Sequence, residues 1–473
     1  MVTTYFNETQ TFNKEYIQAP LRWKKIKNKY LITSDHGAWV LLDKHELDAL
    51  QSNKLKGPIF KILEDKGIIY TYNNKDLIKA YYKQRYGFLD HGTSLHIIIP
   101  TLRCNQKCIY CHSSATSSNN FKYDMTRKIA NQTLDFILQT PADQITIEFQ
   151  GGDALLNLPI FQYIVKTAKE MNTLHKKKIN FALVTNLTLL NNDILDWILH
   201  EGDIRICSSL DGPAFLHNKH RRYETGKPTH KDVIYWIKKI RKITGSTPGL
   251  LMVTTKYSLP YYKEIINEYI KYGQREIQLK YISKLGFATP LWEEIGYSID
   301  EFLEFWKKSM DYMIELNKKG TLIWERYARL ILQKVLTTHD PNFLDFRNPC
   351  GMVIGQLAYN YNGDIYSCDE ARNFELFKLG NVTKDTYKEV TTSSDSLELI
   401  NCSINENYLC GNCVYKPYCG ICPVMSYAED GNLISKLYQN SRCKYFKFMF
   451  DYMFEKLLFD KQAREIFFAW IRA

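Results

Sequence analysis

The stretch TLRCNQKCIYCHSS, residues 101–114, places cysteines at 104, 108 and 111 directly after the apolar run SLHIII. Three thiols are too few for a closed structural zinc, which takes four ligands, and too many for one disulfide. A cubic iron–sulfur cluster fits the number, because three cysteines hold it and leave a fourth iron for something else. The apolar run reads as a strand, so the thiols stand in the loop at its carboxyl end.

Outward from this loop the same arrangement recurs. LHIIIPT, ITIEFQGG, INFALVTN, IRICSSLDG, LLMVTT and EIQLKYIS are strand candidates, and RKIANQTLDFIL, DVIYWIKKIRKI and YYKEIINEYIKYG between them have helical periodicity. Six β–α units in series predict a parallel sheet, open or curved into part of a barrel. QGGD, TNLT and SLDG fall just past strand ends, as the cysteines do, and loops at that end of such folds converge on a site. Two further helices are expected at about 299–337.

Both flanks differ from this rhythm. In residues 22–84, KYLITS and AWVLLD alternate like strands around DHG, KHELDALQ and PIFKILEDKG have helical spacing, IIYTYN adds a strand, and NKDLIKAYYKQRY a helix. This suits a winged-helix binding module, and equally an N-terminal extension without a role of its own. Toward the other end, LAYNYNGDIYSC alternates around Asn362-Gly363, a hairpin signal. CGNCVYKPYCGIC follows, then an aromatic-rich helical stretch from about 435. The last 130 residues hold eight of the twelve cysteines, which predicts a metal-stabilised unit.

At 473 residues, 45% of them apolar, the chain should form two or three domains with proper cores. MVTTYFNETQTFNKEY has no signal-like apolar core and no later run has membrane-spanning length, so a cytoplasmic protein with reduced cysteines and no membrane partner is expected. The net charge of +11 lies in short runs such as RWKKIKNK and HKKKIN. Such runs are ordinarily solvated surface, or meet an acidic peptide segment; no nucleic-acid motif accompanies them, and no nucleic-acid partner is expected.

Cys104-x3-Cys108-x2-Cys111, with Tyr110 before the third cysteine, resembles the signature of radical S-adenosylmethionine (SAM) enzymes. The resemblance implies a 4Fe–4S cluster on these thiolates and SAM at the open iron. By the same likeness Gln150, Gly151, Gly152 and Asp153 match the family's Gly-Gly-Glu-Pro segment, with a shorter carboxylate and Ala154 in place of proline. VTNLT, with Asn186, resembles the Thr-Asn-Gly turn with Leu187 for glycine; Ser209, Asp211 and Arg221 are further candidate SAM contacts. Cys350, Cys368, Cys410, Cys413, Cys419, Cys422 and Cys443 resemble the SPASM extension, which binds two auxiliary 4Fe–4S clusters, although the family usually has three residues between the last two cysteines of the quartet and this chain has two. The resemblance assigns Cys410, Cys413, Cys419 and Cys443 to one cluster and leaves Cys350, Cys368 and Cys422 one ligand short, with Cys402 or an open iron in the fourth place. A zinc ribbon at 410–422 is the plainer alternative. Cys207 reads as a small core residue.

These readings imply an α/β protein with three units: a winged-helix-like module (1–90), a partial (β/α)6 barrel (91–340) and a two-cluster SPASM domain ending in helix (341–473). The family chiefly modifies peptides and proteins, and many members bind a leader peptide through an N-terminal winged helix. GTSLHIIIPTLRCNQKCIYCH, ALVTNLTLL, ICSSLDGP and ISKLGFA narrow the resemblance to the maturase of the His-Xaa-Ser peptide system. A precursor peptide and a reductant such as flavodoxin or ferredoxin are the implied partners. A sulfatase-type maturase forming formylglycine shares the cysteine framework, and a zinc-stabilised peptide-binding protein is the alternative outside enzymes. No residue stands out as the catalytic proton acceptor.

Overall fold

The computed structural model describes residues 15–406, 408–434 and 440–473. Near the amino end, β1 (Leu21–Ile26), β2 (Lys29–Ser34) and β3 (Trp39–Leu42) form an antiparallel sheet in that order. The two-residue period of a strand sends adjacent side chains to opposite faces. Ile32 therefore packs with Val40 and Leu42 in the unit's own core, while Leu31 joins the main core of the molecule. Helices α1 (Lys44–Gln51), α2 (Pro58–Asp65) and α3 (Lys75–Tyr86) follow, the first begun by a capping box between Asp43 and Glu46. The basic run RWKKIKNK is here an edge strand and not merely solvated surface. Trp23 and Lys25 face outward, whereas Arg22 is buried, with Nε donating to Gly411 O at 2.5 Å and Nη1 2.7 Å from Asp35.

Six parallel strands come next: β4 (Leu95–Ile98), β5 (Gln144–Phe149), β6 (Lys178–Val184), β7 (Ile204–Ser209), β8 (Gly249–Val253) and β9 (Leu279–Lys280). They are joined by α4 (Arg127–Leu138), α5 (Leu158–His175), α6 (His230–Thr244) and α7 (Tyr262–Lys271). α8 (Ile299–Lys318) and α9 (Arg326–Leu336) complete this part. The α/β class and parallel sheet agree with the sequence pattern.

The sheet does not stop at its first strand. β10 (Gln356–Tyr359) pairs in parallel with the outer edge of β4, and β11 (Asp364–Tyr366) and β12 (Lys378–Asn381) add antiparallel strands, making nine. The Asn362-Gly363 turn is present, with Gly363 at φ +88°. His96 of β4 lies 2.8 Å from the hydroxyl of Tyr359 on β10. α10 (Pro423–Asp430), α11 (Ser441–Phe459) and α12 (Lys461–Arg472) end the chain, so the aromatic helical stretch is two helices; residues 435–439 lie outside the described residues. Phe446 stacks on Phe346 at 4.4 Å and Phe450 on Tyr415 at 4.9 Å, which holds α11 against the cysteine-rich loops.

Those loops also carry the N-terminal sheet. Thr33 Oγ1 donates to Val414 O at 2.7 Å, Tyr418 Oη to Gly37 O at 2.9 Å, and the buried Arg85 to Lys334 O at 3.1 Å and Pro417 O at 2.6 Å.

Candidate active site

The cysteine loop lies on a platform that only glycine allows. The main chain of 98–103 and that of 150–153 are laced together: Gln150 N donates to Ile98 O, Gly152 N to Thr101 O and Asp153 N to Arg103 O, at 2.8 to 3.1 Å. A Cβ at Gly151, whose φ is +119°, would stand 2.4 Å from Thr101 O, and one at Gly152 would stand 2.1 Å from Arg103 O. Both glycines are thus required for close approach of two backbones. Gly286 does the same from the other side, where a Cβ would lie 2.3 Å from Cys111 O, and Phe287 N donates to that oxygen at 3.0 Å.

Asp153 is fully enclosed. Oδ2 accepts from Thr185 Oγ1 at 2.8 Å and Asn186 N at 2.9 Å and so ties the 150–153 loop to the next one, while Oδ1 accepts from Leu155 N at 3.1 Å and caps the turn that follows it. Burial raises its pKa against those hydrogen bonds. Asn186 gives Nδ2 to Asn105 Oδ1 at 2.9 Å and to Cys104 Sγ at 3.7 Å. Leu187 adopts φ +66°, the backbone a glycine takes easily, with its side chain fully buried in the core. Ser209 ends β7, half-buried.

Tyr110, Asp211 and Arg221 come together as one buried network. Tyr110 donates its hydroxyl to Asp211, and Arg221 Nε lies 3.1 Å and His220 Nδ1 3.3 Å from the same carboxylate. Burial opposes its ionisation, yet Arg221 and His220 hold Asp211 well below the usual carboxylate range. The Arg221 guanidinium lies over the Tyr110 ring at 5.1 Å and places Nη1 3.7 Å from Cys108 Sγ.

Burial, and then the charges of Asp153, Cys108 and Cys111, push the Cys104 thiol up, and burial pushes Cys108 up to about 12. N–H groups are aimed at their sulfurs, from Gln106 N to Cys104 at 3.4 Å and from Asn186 and Arg221 as above. An all-thiol set with hydrogen-bond donors directed at sulfur suits a cluster of thiolate ligands.

The C-terminal thiols fall into two groups. Cys350, Cys368 and Cys422 wall one cavity together. Cys410, Cys413, Cys419 and Cys443 wall another. The donor set again fits an iron–sulfur cluster. Cys402, the last residue of the helix Ser394–Cys402, is half-buried and feels Glu398 but no cysteine. Cys207 is half-buried, its Sγ 3.4 Å from where a Cβ of Gly249 would lie. Among the described residues no three His, Cys, Asp or Glu converge as a ligand set for a single metal ion.

Two features escaped the sequence pattern. His112, next to Cys111, lies 2.8 Å from Asp369, next to Cys368, and so joins the barrel cysteine loop to the hairpin cysteine. Asp369 also accepts from Arg372 at 2.7 Å; against its burial, Arg372 and His112 hold its pKa well below the ordinary value. The chain neighbours of Asp369, Cys368 and Glu370, face a cavity of about 360 Å³, walled also by Gln278 and Lys280 from the barrel end and by Cys350, Cys422 and Arg442 from the C-terminal unit. Only the adjacency of Cys111-His112 and Cys368-Asp369 was visible beforehand, with nothing to pair them.

The family model of the radical SAM superfamily matches residues 98–268, and that of SPASM, an iron–sulfur cluster-binding domain, matches residues 350–414. The cysteine-type anaerobic sulfatase-maturating enzyme of Clostridium perfringens is 26% identical over 368 residues, covering 75% of this chain and 94% of that protein. The serine-type enzyme of Bacteroides thetaiotaomicron is 24% identical over 316 residues, covering 61% and 72%. Among solved structures, native anSMEcpe with bound AdoMet aligns at TM-score 0.65 and 22% identity over 77% of this chain and 98% of that one. Streptococcus suis SuiB bound to precursor peptide SuiA aligns at TM-score 0.50 and 13% identity over 89% and 98%, a likeness of fold.

Proposed function

Because this chain belongs to the radical SAM superfamily and carries an iron–sulfur SPASM domain, we propose that it is an oxidoreductase that matures a precursor peptide, of the His-Xaa-Ser type. The observation that carries this reading is the cavity between the barrel end and Cys350, Cys368 and Cys422. A peptide segment held there would lie against that thiol set, enclosed by residues of both units. The relatives point the same way: SuiB is bound to a precursor peptide, and the sulfatase-maturating enzymes also act on proteins.

In this reading Cys104, Cys108 and Cys111 hold a 4Fe–4S cluster, and Cys410, Cys413, Cys419 and Cys443, with Cys350, Cys368 and Cys422, hold two more. A reduced cluster on those thiolates would give one electron to SAM, whose C5′–S bond would break to methionine and a 5′-deoxyadenosyl radical able to take hydrogen from the peptide. The chain's own residues place and enclose the site. Gly151 and Gly152 admit the cysteine loop, Asp153 locks the 150–153 loop to Asn186, and Arg221 sets a positive charge against Cys108. Tyr110 and Asp211 hold that arginine, while Gln150, Asn186 and Ser209 line the strand ends where SAM would lie. Residues 1–90 would take the leader by strand addition at an edge of the three-stranded sheet, main-chain pairing supplying affinity. A flavodoxin or ferredoxin would supply electrons.

The sulfatase-maturating relatives favour a second reading, oxidation of Cys or Ser to formylglycine. One experiment addresses both. Protein reconstituted anaerobically should contain iron and sulfide rather than zinc and release 5′-deoxyadenosine from SAM with dithionite, and Cys104→Ala, Cys108→Ala and Cys111→Ala should each abolish that release. Mass spectrometry of a co-expressed precursor, before and after treatment with a hydrazide, then separates the readings. Formylglycine from Cys loses two hydrogens and replaces sulfur by oxygen, formylglycine from Ser loses two hydrogens, and both carry an aldehyde that takes the hydrazide, whereas a crosslink loses two hydrogens and does not react. Undiminished release by any of the three variants would sink the assignment.

A further inference from the structure

We propose that the carboxylate of Glu370 is the fourth protein ligand of the three-cysteine auxiliary site, so that Cys350, Cys368, Cys422 and Glu370 form its complete set. The inference rests on the reading above that these cysteines hold a cluster. Three thiolates fill three of the four iron corners of a cube. One corner is left. The groups facing it are those that wall the same cavity, whose carboxylates are Asp345, Glu370 and Glu429, the last already accepting from Ser441 N at 3.0 Å and Ser441 Oγ at 2.6 Å.

Glu370 is the better placed of the two. It stands two residues after Cys368 at the start of the short turn Glu370–Asn373 and walls the same cavity as Cys350, Cys368 and Cys422. Its side chain is only 18% exposed, yet among the described residues its sole polar contact is Lys280 Nζ at 3.8 Å. A buried carboxylate with so little compensation is costly unless something else binds it. Asp345, by contrast, accepts from Gln356 Nε2 at 3.4 Å. Asp369 is occupied by His112 and Arg372.

Cys402 does not serve. Its neighbour Ser403 accepts a hydrogen bond from Cys350 N at 3.1 Å, so the chain passes close by, but Cys402 is not among the described residues that wall the cavity with the three cysteines. A carboxylate preserves the charge of a fourth thiolate while offering a harder, weaker donor, and replacing thiolate by another ligand type raises a cluster's reduction potential. Arg442 beside Cys422 and Cys350 supplies the positive charge that an anionic cluster needs.

The test uses the full chain, anaerobically reconstituted, in a background with Cys104, Cys108 and Cys111 all changed to Ala so that the auxiliary signals stand alone. Iron and sulfide content of this parent establishes whether the clusters are there; a parent without them would refute the cofactor reading itself, and this inference with it. In a loaded parent, Glu370→Gln should lose one iron per protein and show the EPR signal of a [3Fe–4S] cluster on oxidation. Glu370→Cys should regain that iron with an all-thiolate Mössbauer spectrum and a lower potential. Unchanged Mössbauer and EPR spectra in both Glu370 variants overturn the proposal. A change confined to Asp345→Asn or Cys402→Ala would reassign the ligand, and cyanide binding to the parent cluster with no change in any variant would show an open iron.

Discussion

The two C-terminal thiol groups are built on different ground. Cys350 and Cys368 flank the β10–β11 hairpin, which continues the barrel sheet, and Cys422 caps α10 beside them. Cys410, Cys413 and Cys419 lie on short turns, and Cys443 in the first turn of α11. Hydrogen bonds from Arg22, Thr33 and Arg85 fasten those turns to the N-terminal unit. The first group is as rigid as the barrel. The second owes its shape to a unit far away in sequence, so an N-terminal peptide-recognition module would here also be part of an iron–sulfur scaffold.

The largest way to break this contrast is to remove residues 1–90. The four-cysteine group should then lose its iron while the three-cysteine group keeps it, read by iron analysis and by EPR of the two auxiliary signals. Equal loss of both signals would mean that the two groups do not depend on different supports.

A finer cut is Arg85→Met. This guanidinium is buried, ties α3 to Lys334 O and Pro417 O, and lies 3.9 Å from Asp340. Removing it from a buried charge network should cost about 3 kcal/mol of stability. The urea midpoint should fall, with partial loss of the four-cysteine signal alone.

The smallest effect concerns the sheet side. Burial pushes His96 down from an ordinary value of 6.5 to about 3, while it lies against Tyr359 across the β4–β10 pairing. The unfolded chain binds this proton below about pH 6.5 and the folded chain does not until near 3, so the stabilisation is complete above 6.5 and is lost progressively as pH falls toward 3. Urea midpoints should therefore drop between about pH 7 and about pH 5. His96→Asn, which takes up no proton, should flatten that slope; an unchanged slope would put the acid sensitivity elsewhere.

Much of the barrel was legible because strand and helix periods alternate without interruption from Leu95 to Lys280. The polar loops could be placed for the same reason. β1 was hidden because Arg22, Lys24 and Lys25 interrupt its three apolar residues and Trp23 faces outward, so that the burial of Arg22 and the packing of Ile26 are what mark its inner face. By spacing alone Cys422 stands with Cys419, whereas in the fold it faces Cys350, since the chain turns into α10 between them. Leu187 read as a departure from glycine; the backbone takes the glycine conformation all the same, held there by burial of the leucine side chain. The His112–Asp369 bridge had no signal, because a contact between two distant loops leaves no period in either.

The pairing of Leu95–Ile98 with Gln356–Tyr359 also sets a timetable for synthesis. As the chain leaves the ribosome, β4 gains β5 early but keeps its other edge bare until the whole barrel and two further helices have been made. Long-range parallel pairing is slow, and a bare edge is a template for another chain. A polypeptide arrested near residue 340 would therefore be a barrel with an open seam, prone to aggregate, and not a smaller working enzyme. Closing that seam is also what draws Cys350 and Cys368 together, so the last strands protect the nascent barrel in the same event that assembles a cluster site.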